Sequence, residues 1–197
     1  PLTLVTKSAL VERDIDLLTD LARDGLVQAT ISLPVLDEAL ARRMEPRAAS
    51  PRRRLVTIER LATAGIPVSV LVAPVIPQLT DLDLERVLQA AAGAGARSAG
   101  YVLLRLPHEL KGLFEDWLTV HYPLRAAHVM RLVRQMREGR DYDATFFRRQ
   151  TGSGIHAELI ARRFGLACRR LGLDTEGPAL RTDLFRPPAP PGQLTLF

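Results

Sequence analysis

The sequence has a single cysteine and lacks a long apolar run. Cys168 is alone among 197 residues, so no internal disulfide and no cluster of thiolates can form within them. The longest apolar runs, 68–76 and 99–104, are strand-sized and fall short of the roughly 18 residues that a membrane helix needs. These absences favour a cytoplasmic protein with no membrane partner.

The first residues lack a targeting signal. Pro1 leads directly into LTLVT, a run typical of a core strand, with neither an initiator Met nor a charged-then-apolar leader. We therefore expect the chain to begin inside a larger protein.

Common catalytic and metal-binding motifs are absent as well. The sequence contains no GxGxxG, GxxxxGK[ST] or GxSxG. His121 and His128 are separated by Pro123, so they do not share a regular helical face, and no metal-ligand spacing occurs. The short motifs alone leave the chemistry open.

What is present is an alternation of short apolar runs with amphipathic segments. Four helices of crossover length are predicted at 9–25, 36–44, 51–64 and 79–95, the third beginning at Ser50-Pro51 and the fourth capped by Thr80 or Asp81. Such spacing predicts an α/β fold with a parallel sheet and right-handed connections. The four predicted strands are 2–6, 27–33, 67–77 and 98–107.

After Pro107 the pattern changes to helices with basic outer faces. Apolar residues recur at helical spacing in 111–122, 124–139 and 155–172. From Glu176 the chain loses this periodicity and becomes proline-rich, which predicts an extended tail. We therefore divide the chain into an α/β part (1–107), a helical region (108–175) and a tail (176–197).

Ligand sites of parallel sheets gather at the carboxyl ends of the strands. Lys7 follows the first strand and suits a carboxylate or a phosphate, while Ser32 in the second strand suits a ribose or amino-acid group. The alternatives are a surface lysine and a core serine. Residues 74–77, Arg105 and His108 belong to the same edge.

The stretch RRMEPRAASPRRR, 42–54, places Glu45, Pro46 and Arg47 inside a basic segment. It lies at the top of a βα unit, where a loop can reach the site. A solvated basic face is the alternative interpretation.

The overall charge is basic. Lys and Arg number 27 against 22 Asp and Glu, which gives a net charge of +5. This balance favours an anionic partner such as nucleic acid, although a GC-rich genome produces the same arginine-rich composition.

Several segments together carry a family resemblance. The segments that carry it are TKSALVERDIDLL, EPRAASP within residues 31–81, APVIP, and RSAGYVLLRLP. They closely resemble segments of radical S-adenosylmethionine (SAM) enzymes, in the subgroup related to spore photoproduct lyase. The resemblance covers residues 1 to about 107, and the helical region to about 185 is similar to uncharacterised bacterial members of that subgroup.

The resemblance implies a partial (β/α)6, TIM-like barrel, of which the four strands are the third to sixth. In such enzymes a CxxxCxxC loop holds a [4Fe-4S] cluster that reductively cleaves SAM, and the 5′-deoxyadenosyl radical abstracts a substrate hydrogen. No CxxxCxxC occurs here, so the cluster ligands are expected outside this chain, and these residues alone are expected to be inactive.

The family's site residues map onto particular positions. Lys7 resembles the lysine that contacts the SAM carboxylate, and Ser32 resembles a polar residue near the amino acid or ribose. Residues bordering or packing on the adenine are expected to be Ala73, Pro74, Val75, Ile76, Val102 and Leu103. Glu45, Arg47 and Arg105 are candidate loop or substrate residues, without an assigned role.

Three functions are compatible with these features. The first is a radical SAM enzyme that acts on nucleic acid in a DNA repair-like role. Its basic helices from 125 to 170 would face the polymer. The second is a radical SAM enzyme modifying a protein or small molecule. The third is a non-catalytic, DNA-associated adaptor recruited through its tail.

The tail ends in QLTLF, which closely resembles the QLxLF peptides that bind bacterial sliding clamps. The residues expected to contact the clamp are Gln193, Leu194, Leu196 and Phe197. The preceding RPPAPPG is a semi-rigid spacer. Docking of these apolar residues on the protein's own surface is the alternative.

Overall fold

The four apolar runs form one parallel sheet. The computed structural model describes residues 1–142, Thr145 and 148–184. The strands lie side by side in chain order, and each is joined to the next through helices. Their bounds are Leu2–Thr6 (β1), Val27–Ser32 (β2), Val68–Val75 (β3) and Ser98–Leu103 (β4). The predicted α/β class is confirmed, with the arrangement of a partial TIM-like barrel followed by helices.

Strand register aligns the carboxyl ends along one edge. Thr6 pairs with Ile31, and Ser32 pairs with Leu71. The β3–β4 ladder shifts between Val72 and Val75, where Pro74 follows a cis peptide bond. Because proline lacks an N–H, it cannot donate to a ladder at this position.

Eight α-helices occur in the described residues, and the predicted helices are confirmed, five of them with shorter bounds and two, α5 and α8, shifted by one residue. The loop after α6 also contains a short helix that the sequence pattern did not indicate, α7. The bounds are Ile15–Arg23 (α1), Glu38–Met44 (α2), Pro51–Thr63 (α3), Leu84–Gly93 (α4), Leu110–His121 (α5), Ala126–Gln135 (α6), Arg148–Thr151 (α7) and Gly154–Leu171 (α8). None of the described helices is long and apolar enough to cross a bilayer.

Two predicted helix starts are wrong in detail. Residues Ala9–Asp14 and Asp81–Asp83 form 3₁₀ segments that precede α1 and α4. Thr80 does not cap a helix: its hydroxyl donates to the Pro74 carbonyl and accepts from the Ile76 N–H. These bonds within the turn after β3 hold its shape, and they use the hydroxyl that a helix cap would need.

The core joins the sheet to the last long helix. Side chains from all four strands pack with α1, α3, α4 and α8, including Leu88 of α4 and Phe164 of α8. The Phe164 ring lies 4.8 Å from that of Tyr101 in β4, measured between centroids. A second apolar cluster, around Leu118 and Val129, packs α5 and α6 beyond the carboxyl ends of β3 and β4. The helical region from 108 therefore packs directly on the sheet.

The chain passes along the amino ends of the strands after α8. Asp174 forms a bridge with Ser98 at the start of β4, and the Arg181 N–H donates to the Gly25 carbonyl before β2. No helix or strand occurs in 176–184. The described end of the chain thus lies opposite the carboxyl edge.

Glu12 fastens the 3₁₀ segment after β1 to α3. Its carboxylate accepts two hydrogen bonds from Arg53, at 2.5 and 2.8 Å, and others from Thr57 and Arg60. The Arg53 guanidinium chiefly lowers the pKa of Glu12 from 4.5 to about 2, against the opposing effect of burial. This clamp fixes the segment that follows Lys7.

The lowered pKa of Glu12 predicts an acid-sensitive contribution to stability. Ionised Glu12 contributes about 2 kcal/mol after allowance for screening at its partly exposed arginine partners. The contribution is complete above the unfolded-state pKa and is lost as pH falls from about 4.5 towards the folded-state value. Urea unfolding of wild type and Glu12→Gln will measure the difference.

The expected difference is constant above a pH of about 5 and shrinks below it. Glu59→Gln, on the exposed face of α3, is the matched control and should show little difference at any pH. A Glu12→Gln difference that persists unchanged at low pH would contradict the clamp.

Candidate active site

A cleft of about 820 Å³ lies at the carboxyl ends of all four strands. Its lining combines strand ends with the loop that follows α2. Apolar side chains of Leu71, Val102 and Leu103 form one part of the lining. The polar and charged residues include Lys7, Ser32, Arg47 and Arg105, and none of the described lining residues carries a carboxylate.

Lys7 is held by an ion pair with Glu45. Its Nζ lies 2.5 Å from Glu45 Oε1, and the lysine side chain is 48% exposed whereas that of Glu45 is 10% exposed. An ammonium group has three donors, and one is directed to Glu45. Lys7 therefore keeps donors for a ligand in the cleft.

Arg54 is buried behind this pair and connects it to the sheet. Its Nη2 donates to Glu45 Oε2 at 2.5 Å, its Nη1 to the Ser32 carbonyl at 2.8 Å, and its Nε to the Ala49 carbonyl at 2.8 Å. The side chain is only 2% exposed. One guanidinium thus fixes the end of β2, the 45–50 loop and, through Glu45, Lys7.

Ser32 is buried at the end of β2 and faces its neighbour strand. The hydroxyl donates to the Ala73 carbonyl at 3.2 Å. Its oxygen lone pairs remain able to accept from a ligand hydroxyl or ammonium. Ser32 is therefore a lining residue whose donor is already used.

The 45–50 loop brings Arg47 to the cleft. Arg47 is exposed and lines the cleft beside Ala48 and Ala49, without an ion pair to any described residue. Glu45, in contrast, lies behind Lys7 and does not line the cleft. The structure thus separates the two residues that the sequence grouped.

Arg105 follows β4 and lines the opposite side. Its Nη2 donates to the Tyr142 hydroxyl at 3.1 Å, and the guanidinium lies over the Tyr142 ring, 5.8 Å from the centroid. Its Nε is buried and has no hydrogen-bond partner among the described residues.

Not all of the predicted adenine-bordering residues reach the cleft. Ala73, Pro74, Val102 and Leu103 line it. Val75 and Ile76 are 0% and 1% exposed, and Ile76 contributes to a separate groove nearby. His108 is exposed and does not line the cleft.

The described residues offer no site for a metal or cluster. They contain no group of three His, Cys, Asp or Glu side chains that could hold an ion. Cys168 is buried in α8, and burial raises the pKa of its thiol to about 11. A thiol of that kind stays protonated at neutral pH, which makes it a poor ligand.

The most important residue that the sequence analysis missed is Arg54. It lay inside the charge run PRRRL, where one arginine resembles another. The signal was its spacing: residues 54, 58 and 61 share a face of α3, and Ile58 and Leu61 are fully buried. An arginine on an apolar helical face must find buried partners.

Comparison with known families matches the same part of the chain. Residues 1–91 match the model of the Radical SAM superfamily. These residues form a radical SAM domain. The matched part contains three of the four strands, Lys7, Ser32 and the Glu45–Arg54 network.

The curated relatives extend the similarity without naming an activity. The chain is similar to uncharacterized proteins of Mycobacterium bovis and Mycobacterium tuberculosis, at 35% identity over 137 residues, which is 68% of this chain and 40% of each relative. An uncharacterized protein of Acidianus two-tailed virus is 34% identical over 95 residues, 46% of this chain and 31% of that protein. The matched part of the chain thus covers less than half of the length of each of these relatives.

The lining residues fit SAM but not its usual partner, a [4Fe-4S] cluster. Lys7 offers a cation for the carboxylate of SAM, Ser32 offers an acceptor, and the apolar lining offers a surface for the adenine. Three thiolate ligands, in contrast, cannot come from a chain with one buried cysteine.

The Arg54 network predicts a specific pattern of stability changes. Arg54→Met should lower the free energy of unfolding by about 3 kcal/mol, because a buried carboxylate and a buried carbonyl lose their donor. Adding Glu45→Gln should recover part of the loss, since it removes a largely buried carboxylate that has lost one of its two cationic partners. Urea unfolding monitored by circular dichroism measures both.

Arg52→Met is the matched control, because Arg52 is exposed on the same turn of α3 and its replacement should cost less than about 0.5 kcal/mol. Equal effects of Arg52→Met and Arg54→Met would show that the buried network is not structural.

Proposed function

We propose that the protein containing this chain is a radical SAM enzyme that binds SAM in the cleft at the carboxyl ends of β1–β4. The observation that carries the proposal is the position of Lys7, held by Glu45 and Arg54 at the mouth of this cleft. The radical SAM domain assigned to residues 1–91 supports the same chemistry.

Within this proposal, Lys7 donates to the SAM carboxylate. A charge-assisted bond of this kind is stronger than a neutral one, and the partly exposed ammonium can turn to the ligand without losing Glu45. Ser32 accepts from the α-ammonium or a ribose hydroxyl. Glu45 and Arg54 are positioning residues, because they act through Lys7 and the loop.

The adenine packs on the apolar side of the cleft. Ala73, Pro74, Val102 and Leu103 supply this surface, while Val75 and Ile76 support it from behind. Burying the flat base there removes apolar area from water and orients the ribose towards Ser32.

The cluster is supplied from outside these 197 residues. When bound, a reduced [4Fe-4S] cluster supplies the electron that cleaves SAM. The residues described here bind and orient SAM and exclude water from it, a division of labour typical of cofactor enzymes. The 197-residue chain by itself is then inactive.

A nucleic-acid substrate is the first choice for this site. SAM carries one carboxylate, which Lys7 can meet, and the cleft holds two further cations, Arg47 and Arg105. The surplus positive charge of the cleft suits phosphates. The resemblance to the subgroup related to spore photoproduct lyase extends this proposal to a DNA repair-like role.

The alternatives separate by simple measurements. A radical SAM enzyme acting on a protein or small molecule predicts no salt-sensitive DNA binding by the intact protein. A non-catalytic adaptor predicts no 5′-deoxyadenosine from SAM after anaerobic reconstitution under reducing conditions.

The C-terminal peptide is proposed to bind a sliding clamp. Gln193, Leu194, Leu196 and Phe197 lie outside the described residues. The preceding segment, 177–184, passes the amino ends of the strands near Gly25 and Gln28, opposite the cleft. A partner bound beyond that segment leaves the cleft accessible.

Replacement of Lys7 tests the SAM site directly. In the intact, reconstituted protein, Lys7→Ala should weaken SAM binding by about 1.5 to 3 kcal/mol, because it removes a charge-assisted contact. Equilibrium dialysis with labelled SAM measures this without requiring turnover.

The chain offers a matched control, since its only other lysine is Lys111, which pairs with Asp141 and does not line the cleft. Lys111→Ala should leave the SAM affinity unchanged. Unchanged affinity in Lys7→Ala would show that the lysine is misassigned.

Replacement of the last two apolar residues tests the tail. Leu196→Ala with Phe197→Ala should abolish retention of the protein on an immobilised bacterial sliding clamp, because these side chains fill the apolar pocket. Leu184→Ala is a control outside the QLTLF peptide. If wild type is not retained either, docking on the protein's own surface is favoured.

A further inference from the structure

A second, smaller groove opens beside the cleft. Its volume is about 300 Å³, and it lies between α5 and the segments that follow β3 and β4. Pro74, Leu104 and Arg105 line both the groove and the cleft. A molecule in the groove can therefore reach a ligand held in the cleft.

The walls of this groove are apolar and partly aromatic. Ile76 and Leu106 come from the segments after the strands, and Leu113, Phe114 and Trp117 come from α5. Leu113 is 60% exposed although it lines a cavity. Apolar side chains left in water at the mouth of a concave site favour an apolar occupant.

The aromatic wall is preformed. The Trp117 indole N–H donates to the Arg43 carbonyl at 3.1 Å, which anchors the ring to α2. Its ring lies nearly parallel to that of Phe114, with 13° between the planes and 5.7 Å between the centroids. A flat ring can pack against such a wall without a rearrangement of the side chains.

One charged residue lines this groove, and it has an unused donor. Arg105 is the only charged side chain among its described lining residues. Nη2 donates to the Tyr142 hydroxyl, which uses one of the five N–H donors of the guanidinium. An occupant that brings an oxygen can accept a charge-assisted hydrogen bond from a donor that Tyr142 leaves unused.

We propose that this groove binds a flat, unsaturated ring that carries a carbonyl oxygen, with the ring against Phe114 and Trp117 and the oxygen at Arg105. The assignment of this ring to the substrate rests on the proposed function, because the groove opens into the cleft that holds SAM. Hydrocarbon rings, such as the phenylalanine side chain of a protein substrate, lack the oxygen that Arg105 favours.

Trp117 makes the test direct, since it is the single tryptophan of the chain. The intact protein and its Trp117→Phe variant are titrated with benzamide, cyclohexanecarboxamide and toluene, and the difference between their tryptophan emissions is recorded. Benzamide should bind saturably, about threefold tighter than cyclohexanecarboxamide because it is flat. It should bind about fivefold tighter than toluene because it has a carbonyl oxygen.

Two variants locate the binding. Arg105→Met should remove the preference for benzamide over toluene. Leu113→Gln should weaken benzamide binding by about fivefold by making the mouth polar. Val120→Gln should have no effect, because Val120 is 73% exposed on the same helix and does not line the groove.

The outcomes distinguish this inference from the proposed function. Equal binding of all three probes, or equal effects of Leu113→Gln and Val120→Gln, would overturn the inference, and so would the absence of a saturable change in emission. SAM dialysis is measured on the same variants of the intact protein. If the protein binds SAM normally but does not bind the ring probes, only the inference about the groove is overturned. If it binds the ring probes but not SAM, only the proposed function is overturned.

Discussion

The buried guanidinium of Arg54 is the interaction on which the site depends. It joins the end of β2, the loop after α2 and, through Glu45, the segment after β1. A charge this deeply buried requires acceptors at every donor that faces protein. The Ser32 and Ala49 carbonyls and the Glu45 carboxylate meet that requirement, and together they set the position of Lys7.

The rest of the cleft follows from the parallel sheet. Because all carboxyl ends lie along one edge, residues from distant parts of the sequence meet there. The helices after Pro107 close the far side: α5 brings Phe114 and Trp117 beside the edge, while α8 packs into the main core through Phe164. The amino ends face the opposite direction, where the described chain ends.

Local sequence signals were sufficient for the framework. Runs such as PVSVLVAPVIP are apolar on both faces, as a covered parallel strand must be, and Ser50-Pro51 starts α3 as its capping chemistry predicts. The signals failed where other bonds use the groups that a helix start would need. Thr80 holds the turn after β3 instead of capping a helix, and residues Ala9–Asp14 form a 3₁₀ segment that Glu12 fastens to α3. The pairing of Lys7 with Glu45 joins segments far apart in sequence, so no local pattern encodes it.

Binding of SAM at Lys7 and the carboxyl ends of the strands, as proposed, should protect those segments from solvent. Amide hydrogen exchange of the intact, anaerobically prepared protein, with and without SAM, measures this protection. We expect slower exchange at residues 6–8, 47–49 and 102–105, with unchanged exchange at residues 25–28 at the amino ends. Protection at the amino ends, or unchanged exchange at residues 6–8 with saturating SAM, would contradict the proposal.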